Sequence, residues 1–139
     1  MAASYSSFLT TQYYSPVFNT ALFDGPFRIY FSQSYESVAL KIYHLLQTQD
    51  LSLWTEYKKW SEKTKKHAFI LIYPSDQDLA IAFDGEPRAE LMNRLWDEGL
   101  ILGFANSYSD ESFGGIYQHI LTQLKTFIGA EKTNLNLQF

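Results

Sequence analysis

Apolar and polar positions alternate with two periods along this chain, and the changes of period divide it into elements. Residues 27–31, FRIYF, join aromatic and β-branched side chains with partial alternation and read as a strand. From Tyr35 the apolar positions step by three and four through Val38, Ile42, Leu45 and Leu46 to Gln49, which is helical spacing, with Ser34 at the cap. Leu53, Trp54, Tyr57, Trp60, Ser61 and Thr64 repeat that spacing between Ser52 and Thr64. This second helix is expected to dock through its two tryptophans and leave its lysines in water. Residues 68–73, AFILIY, are almost unbroken apolar, as in a central strand covered on both faces. Pro74 to Asp78 has turn composition, and 79–83, LAIAF, reads as the return strand.

Downstream, Pro87 suits the first turn of a helix with Leu91, Met92, Leu95 and Trp96 inward and Gly99 near its end. The run LILGF fits either a continuation of that helix or a short extended segment. Ser112 is the expected cap of a last helix with a core stripe of Ile116, Ile120, Leu121, Leu124, Phe127 and Ile128. Beyond Gly129 the chain is polar, and 131–139 is expected to fray. Upstream, 1–14 is an uncharged Ser/Thr/Tyr-rich stretch, read as a mobile or loosely docked arm. Ser15-Pro16 resembles a helix start, with Val17, Phe18, Ala21 and Leu22 on one face and Gly25 past its end. A hairpin about Asp24-Gly25 is the rival; Pro26 counts against it because proline donates nothing to a ladder.

These elements predict the order α-β-α-α-β-β-α-α in one domain over 15–130. The expected class is α/β: a three-layer α/β/α sandwich with a small central sheet of three to four strands and helices on both faces. At 139 residues the chain is long enough to bury a core without a disulfide or metal staple. With no cysteine, thiolate chemistry and cysteine zinc sites are excluded. The run lengths predict no transmembrane segment, and the N-terminus lacks a signal-peptide pattern. The expectation is a soluble protein, cytoplasmic as it stands and extracytoplasmic if a leader was removed.

Charge changes the picture of the surface. The net charge is −4, yet Lys58, Lys59, Lys63, Lys65 and Lys66 fall within nine residues. From Asp76 to Glu111 nine acids face only Arg88 and Arg94. The acidic balance argues against nucleic acid as partner. The lysine cluster reads as a solvated helix face, with an acidic-partner patch as the sharper alternative.

Candidate chemistry is sparse. His44, His67 and His119 stand in no zinc-binding spacing. No GxSxG or phosphate-binding loop occurs. A hard-cation site finds oxygen ligands in Asp84 and Glu86, where Gly85 permits a turn, and in Asp110 and Glu111 before the last helix. The plain alternative makes Asp84 a corner and Asp110-Glu111 complements of a helix dipole. Calcium or another divalent cation is the cofactor expected there, with no organic cofactor.

The segment from Phe27 to Ile128, about three quarters of the chain, resembles the TPM domain family, known from a thylakoid luminal phosphatase, a photosystem II repair protein and an acetylcholine receptor modulator. FRIYF, ESVALKIYHLL, Thr64 before AFILIY, LAIAFDGE at the Gly-Asp-x-Gly-like corner, RAELMNRLWDEG and FANSYSDESFGGIYQHILTQL carry the resemblance. The departures are His67-Ala68 for Asn-Gly, Gln77 for a basic turn residue, Phe83 for a glycine, and the enlarged helix QTQDLSLWTEYKKWSE. The resemblance implies an α/β/α sandwich, with calcium binding and acid phosphatase activity in some relatives and partner binding in others. Asp84 alone carries over onto the acidic corner. The leading expectation is a TPM-like binding or accessory domain with a protein partner and no demonstrated catalysis. The alternatives are a calcium-dependent acid phosphatase around Asp84 and an oligomeric protein that pairs through its N-terminal arm.

Overall fold

A computed structural model describes Tyr13, Phe18 and residues 20–85, 91–96, 99–105 and 110–134. In chain order the elements are β1 (Thr20–Asp24), β2 (Phe27–Phe31), a 3-10 turn (Gln33–Tyr35), α1 (Glu36–Thr48), α2 (Leu51–Thr64), β3 (His67–Tyr73), α3 (Asp76–Phe83), β4 (Leu91–Trp96), β5 (Gly99–Ala105) and α4 (Asp110–Asn134). The five strands make one sheet in the order β1-β2-β3-β5-β4. β2, β3 and β5 run parallel, and among the described residues β1 and β4 form the two edges, each antiparallel to its neighbour.

Strand alternation sorts the core into two halves. Phe27, Ile29, Phe31, Ala68, Ile70, Ile72, Leu100, Leu102 and Phe104 point to one face, where α1, α2 and α4 cover them. Tyr30, Phe69, Leu71, Tyr73, Ile101 and Ala105 point to the other, where α3 packs together with Tyr13 and Phe18. The expected α/β/α sandwich is therefore present, with five strands where three to four were expected. Among the described residues no helix is long and apolar enough to cross a membrane.

The two amphipathic helices and the central strand lie where periodicity put them. Trp60 is fully buried and Trp54 partly so, while Lys58, Lys59, Lys63 and Lys65 are exposed. α4 starts two residues ahead of Ser112 and continues through Gly129 to Asn134.

Three expectations are corrected. The segment expected as a helix from Ser15-Pro16 to Leu22 contributes β1, so the rival hairpin holds; residues 15–17 lie outside the described part. Register pairs Asp24 with Phe27 across Gly25 and Pro26. Gly25 takes φ +62 at the first central position, as primed two-residue turns require, and Pro26 sits in the loop rather than the ladder. Its carbonyl accepts from the Ala68 N–H at 3.1 Å and ties the hairpin to β3.

The run 79–83 is helical, not a return strand. Ser75 is the reason: its side chain accepts the Asp78 N–H at 3.1 Å, and its hydroxyl lies 2.9 Å from the Asp78 carboxylate. A serine three residues before an acid, ahead of an apolar run, is a helix-start pattern. Conversely, 91–96 is a strand, not a helix, and LILGF lies within its partner β5. The two pair from Trp96↔Gly99 to Leu91↔Phe104.

Gly99 and Gly103 permit this packing. Gly99 has φ +141, and a Cβ there would stand 1.7 Å from the His67 carbonyl oxygen. A Cβ on Gly103 would meet the Phe83 ring at 2.6 Å. β5 thus approaches β3 and α3 more closely than a side chain allows.

Candidate functional site

The acidic corner is the first place to look for chemistry. Asp84 ends α3 in the left-handed conformation, φ 52, and its side chain is exposed. Its N–H bonds the Ala80 carbonyl, as does that of Gly85, so backbone geometry alone accounts for a corner here. Glu86 lies outside the described residues, as do the side chains of Asp110 and Glu111. The backbone of Asp110 and Glu111 opens α4, which covers one face of the sheet, whereas Asp84 closes α3 on the other. The described geometry thus supplies one of the four expected cation ligands. Among the described residues no group of three His, Asp or Glu side chains is placed to hold a metal ion.

A second polar feature lies at the start of β3. His67 and Arg28 share a face of the sheet, and the Arg28 guanidinium lies 2.9 Å from His67 Nε2. Guanidinium only donates, so Nε2 accepts and the ring proton resides on Nδ1. Burial, and after it the Arg28 charge, pushes the His67 pKa down to about 4. The Phe69 ring stands edge-on to the imidazole at 6.4 Å. This arrangement locks a neutral histidine into the fold. His44 and His119 are exposed on α1 and α4.

Two concavities lie among the described residues at the adjoining end. One, about 250 Å³, lies between the β1–β2 turn and the wet face of α2 and is lined by Gly25, Pro26, Lys58, Ser61 and Glu62. The other, about 240 Å³, is lined by Lys66, Leu95, Gly99, Phe127 and Glu131. Both are smaller than the roughly 300–1,000 Å³ usual for sites that engulf a small-molecule ligand.

The second concavity is the better built. Phe127 lines it and is held by aromatic neighbours: its ring stacks on Tyr57 at 6.5 Å and meets Trp60 edge-on at 5.4 Å. Trp60 Nε1 donates to Glu131 at 3.4 Å, which fixes the anion at the rim. Tyr57 anchors α2 to α4 by donating to the Leu124 carbonyl at 2.7 Å. Burial, aided by the charges of Glu131 and Glu56, drives its phenol pKa upward, so the anchor stays protonated. Lys66 supplies the opposite charge at the rim, and Gly99 supplies space.

Beside this concavity runs β4, which among the described residues is an edge strand. Its register with β5 is continuous over six residues, with no bulge. Arg94 reaches across to the Phe83 carbonyl at the end of α3, and Asn93 Nδ2 donates to Gln123 Oε1 on α4 at 2.7 Å. Leu95 remains 71% exposed. Leu40, Leu51 and Ile81 are exposed too, but on helices, where interior backbone groups pair within the helix and offer no strand edge. An isolated exposed leucine is ordinary. Leu95 differs because its strand also offers a row of outward N–H and C=O groups. Sequence reasoning placed Leu95 inward on a helix and missed this surface. The signal available was a pair of apolar runs separated only by Asp97-Glu98, a hairpin spacing.

In comparisons with known proteins, no family model, curated protein or solved structure matches the chain.

Proposed function

We propose that the chain is a binding or accessory domain that recognises protein, with the outer edge of β4 and the adjoining concavity as its recognition surface. An extended segment of a partner would add to β4 through main-chain hydrogen bonds, and one of its apolar side chains would fill the space between Leu95 and Phe127. The observation that carries this reading is Leu95, 71% exposed on a bulge-free edge strand beside a concavity of about 240 Å³. Natural edge strands are ordinarily blunted by lysine, proline or a bulge. β4, LMNRLW, has only Arg94, and that side chain is engaged with α3. The size of the concavity suits one side chain better than a whole substrate. The resemblance to TPM-type binding domains is compatible with the proposal, which rests on the edge alone.

Selection of extended peptides from a random library on the immobilised protein tests it. Enriched peptides are expected to carry apolar residues at alternate positions. They are expected to lose binding to Leu95→Lys and to keep it to Ile81→Lys, a change at an exposed site on the opposite layer. Absence of enrichment, or equal binding to both variants, would refute the reading.

A further inference from the structure

We infer that the segment received by β4 is β4 of a second copy of this chain, so that two sheets join edge to edge about a two-fold axis through Asn93. The inference rests on the preceding reading of the β4 edge and names its occupant.

Register selects the partner strand. A two-fold axis perpendicular to the sheet keeps each face on its own side. Directly opposed residues must then share a face, and the sum of their numbers must be even. In β4, Leu91, Asn93 and Leu95 share the face covered by α4, because they pair with Phe104, Leu102 and Leu100. The pairing of Trp96 with Gly99 across a two-residue connection makes it the closing hydrogen-bonded pair. By the alternation of an antiparallel ladder, the N–H and C=O of Leu91, Asn93 and Leu95 then point outward.

Two registers use five residues of the strand. One centres on Arg94 and sets two guanidinium-bearing residues directly opposite each other, which repels. The other centres on Asn93. It opposes Leu91 to Leu95 twice, Met92 to Arg94 twice and Asn93 to itself. All three outward-facing residues then find outward-facing partners, no like charges meet, and each exposed Leu95 is covered by the other copy's Leu91.

The flanking helix agrees. The Asn93–Gln123 hydrogen bond sets α4 over β4, so α4 of each copy lies near the axis. The exposed positions adjoining Gln123 at helical spacing are His119, Thr126 and Ala130, none of them Asp, Glu, Lys or Arg. The lysine-bearing face of α2 adjoins the β1–β2 turn, and β1 is the opposite edge of the sheet. Lys58 therefore lies away from the proposed junction, while Lys66 and Glu131 beside Leu95 offer one charge of each sign.

Sedimentation equilibrium of the whole chain across micromolar concentrations is the first test. The expected result is a concentration-dependent species of twice 16.1 kDa that Leu95→Lys reduces to the monomer, with circular dichroism of that variant unchanged. Because the chain has no cysteine, Asn93→Cys introduces a single thiol. Oxidation is expected to convert Asn93→Cys to a covalent dimer and to leave Leu95→Cys, which opposes Leu91, uncoupled. Should Leu95→Lys lose its native spectrum, the two cysteine variants still decide the matter. A wild type that stays monomeric throughout overturns the inference. A fluorescent LMNRLW peptide with terminal lysines then separates the two proposals. If the monomer binds it and Leu95→Lys does not, the edge accepts strands but not its own copy. If neither binds it, the edge reading falls as well.

Discussion

Replacing Gly99 and Gly129 by alanine applies one chemical change in two opposite environments. At Gly99 the backbone has φ +141, a region nearly closed to residues with a Cβ, and holding alanine there costs about 1–3 kcal/mol. The new methyl carbon would also stand 1.7 Å from the His67 carbonyl oxygen. That neighbour is main chain inside the β3–β5 ladder and cannot rotate away, so the strands must separate. Overpacking of this kind costs about 1–3 kcal/mol more. The sum, roughly 2–6 kcal/mol, is a large share of the 5–15 kcal/mol typical of a domain. At roughly 3 °C per kcal/mol for a chain of this length, Gly99→Ala is expected to lower Tm by about 6–18 °C. At Gly129, in exposed helix, nothing lies within 4 Å of the added carbon. Alanine there is expected to gain about 0.5–1 kcal/mol from its helix preference. Urea unfolding followed by tryptophan fluorescence reports both, since Trp60 is fully buried. A Gly99→Ala variant within about 0.5 kcal/mol of wild type would refute the close strand approach. A destabilised Gly129→Ala would refute a helix continuous through that position. Because Gly99 pairs with the end of β4, Gly99→Ala is also expected to weaken strand capture at the edge.

Ser75→Ala removes the side-chain acceptor of the Asp78 N–H and is expected to cost about 1 kcal/mol in the same urea assay, whereas no such loss would follow if 76–83 were extended. Asp84→Gly relieves a left-handed residue, φ 52, and is expected to stabilise by up to about 1 kcal/mol; a loss of stability would mean that the carboxylate has work beyond the corner. His67 gives a pH dependence with a definite sign. Its pKa in the fold is down to about 4, while an unfolded histidine titrates near 6.5. Between those values the unfolded chain binds the extra proton, so the contribution is fully present above about pH 6.5 and falls away as pH drops toward 4. The difference in unfolding midpoint between wild type and His67→Gln, followed from pH 7.5 to 4.5, is expected to shrink with acid; a constant difference would contradict the neutral Arg28–His67 pair.

Legibility in the sequence followed the range of the forces involved. The helices at 36–48 and 51–64, the last helix from Ser112 to Ile128 and the strand at 68–73 were readable because an amphipathic stripe or a long apolar run is a local property; the last helix also runs through 131–134, where fraying was expected. Short apolar runs fit either period. LAIAF went to the helix because Ser75 caps it, a signal present in the sequence and outweighed by apolar content. For β1, Pro26 argues locally against the hairpin, yet a two-residue loop places it outside the ladder. The acidic corner was legible as a place where the chain turns. Its left-handed backbone is part of a helix end, which the pattern of a strand end concealed.

What the sequence by itself determined is the material: a layered α/β core without thiol chemistry, and one helix that docks through its tryptophan-bearing face and keeps its lysines wet. What only the tertiary structure decided is the pairing. LMNRLW became a strand because β5 offered it a continuous ladder, and Leu95 came to the surface because β4 is last in the sheet. Strand pairing joins residues far apart in the chain, so its outcome depends on which partners the rest of the fold leaves open. The recognition surface proposed for this protein is of that kind. Its backbone groups and Leu95 take their meaning from their place at the sheet edge, beside the concavity that Phe127 lines.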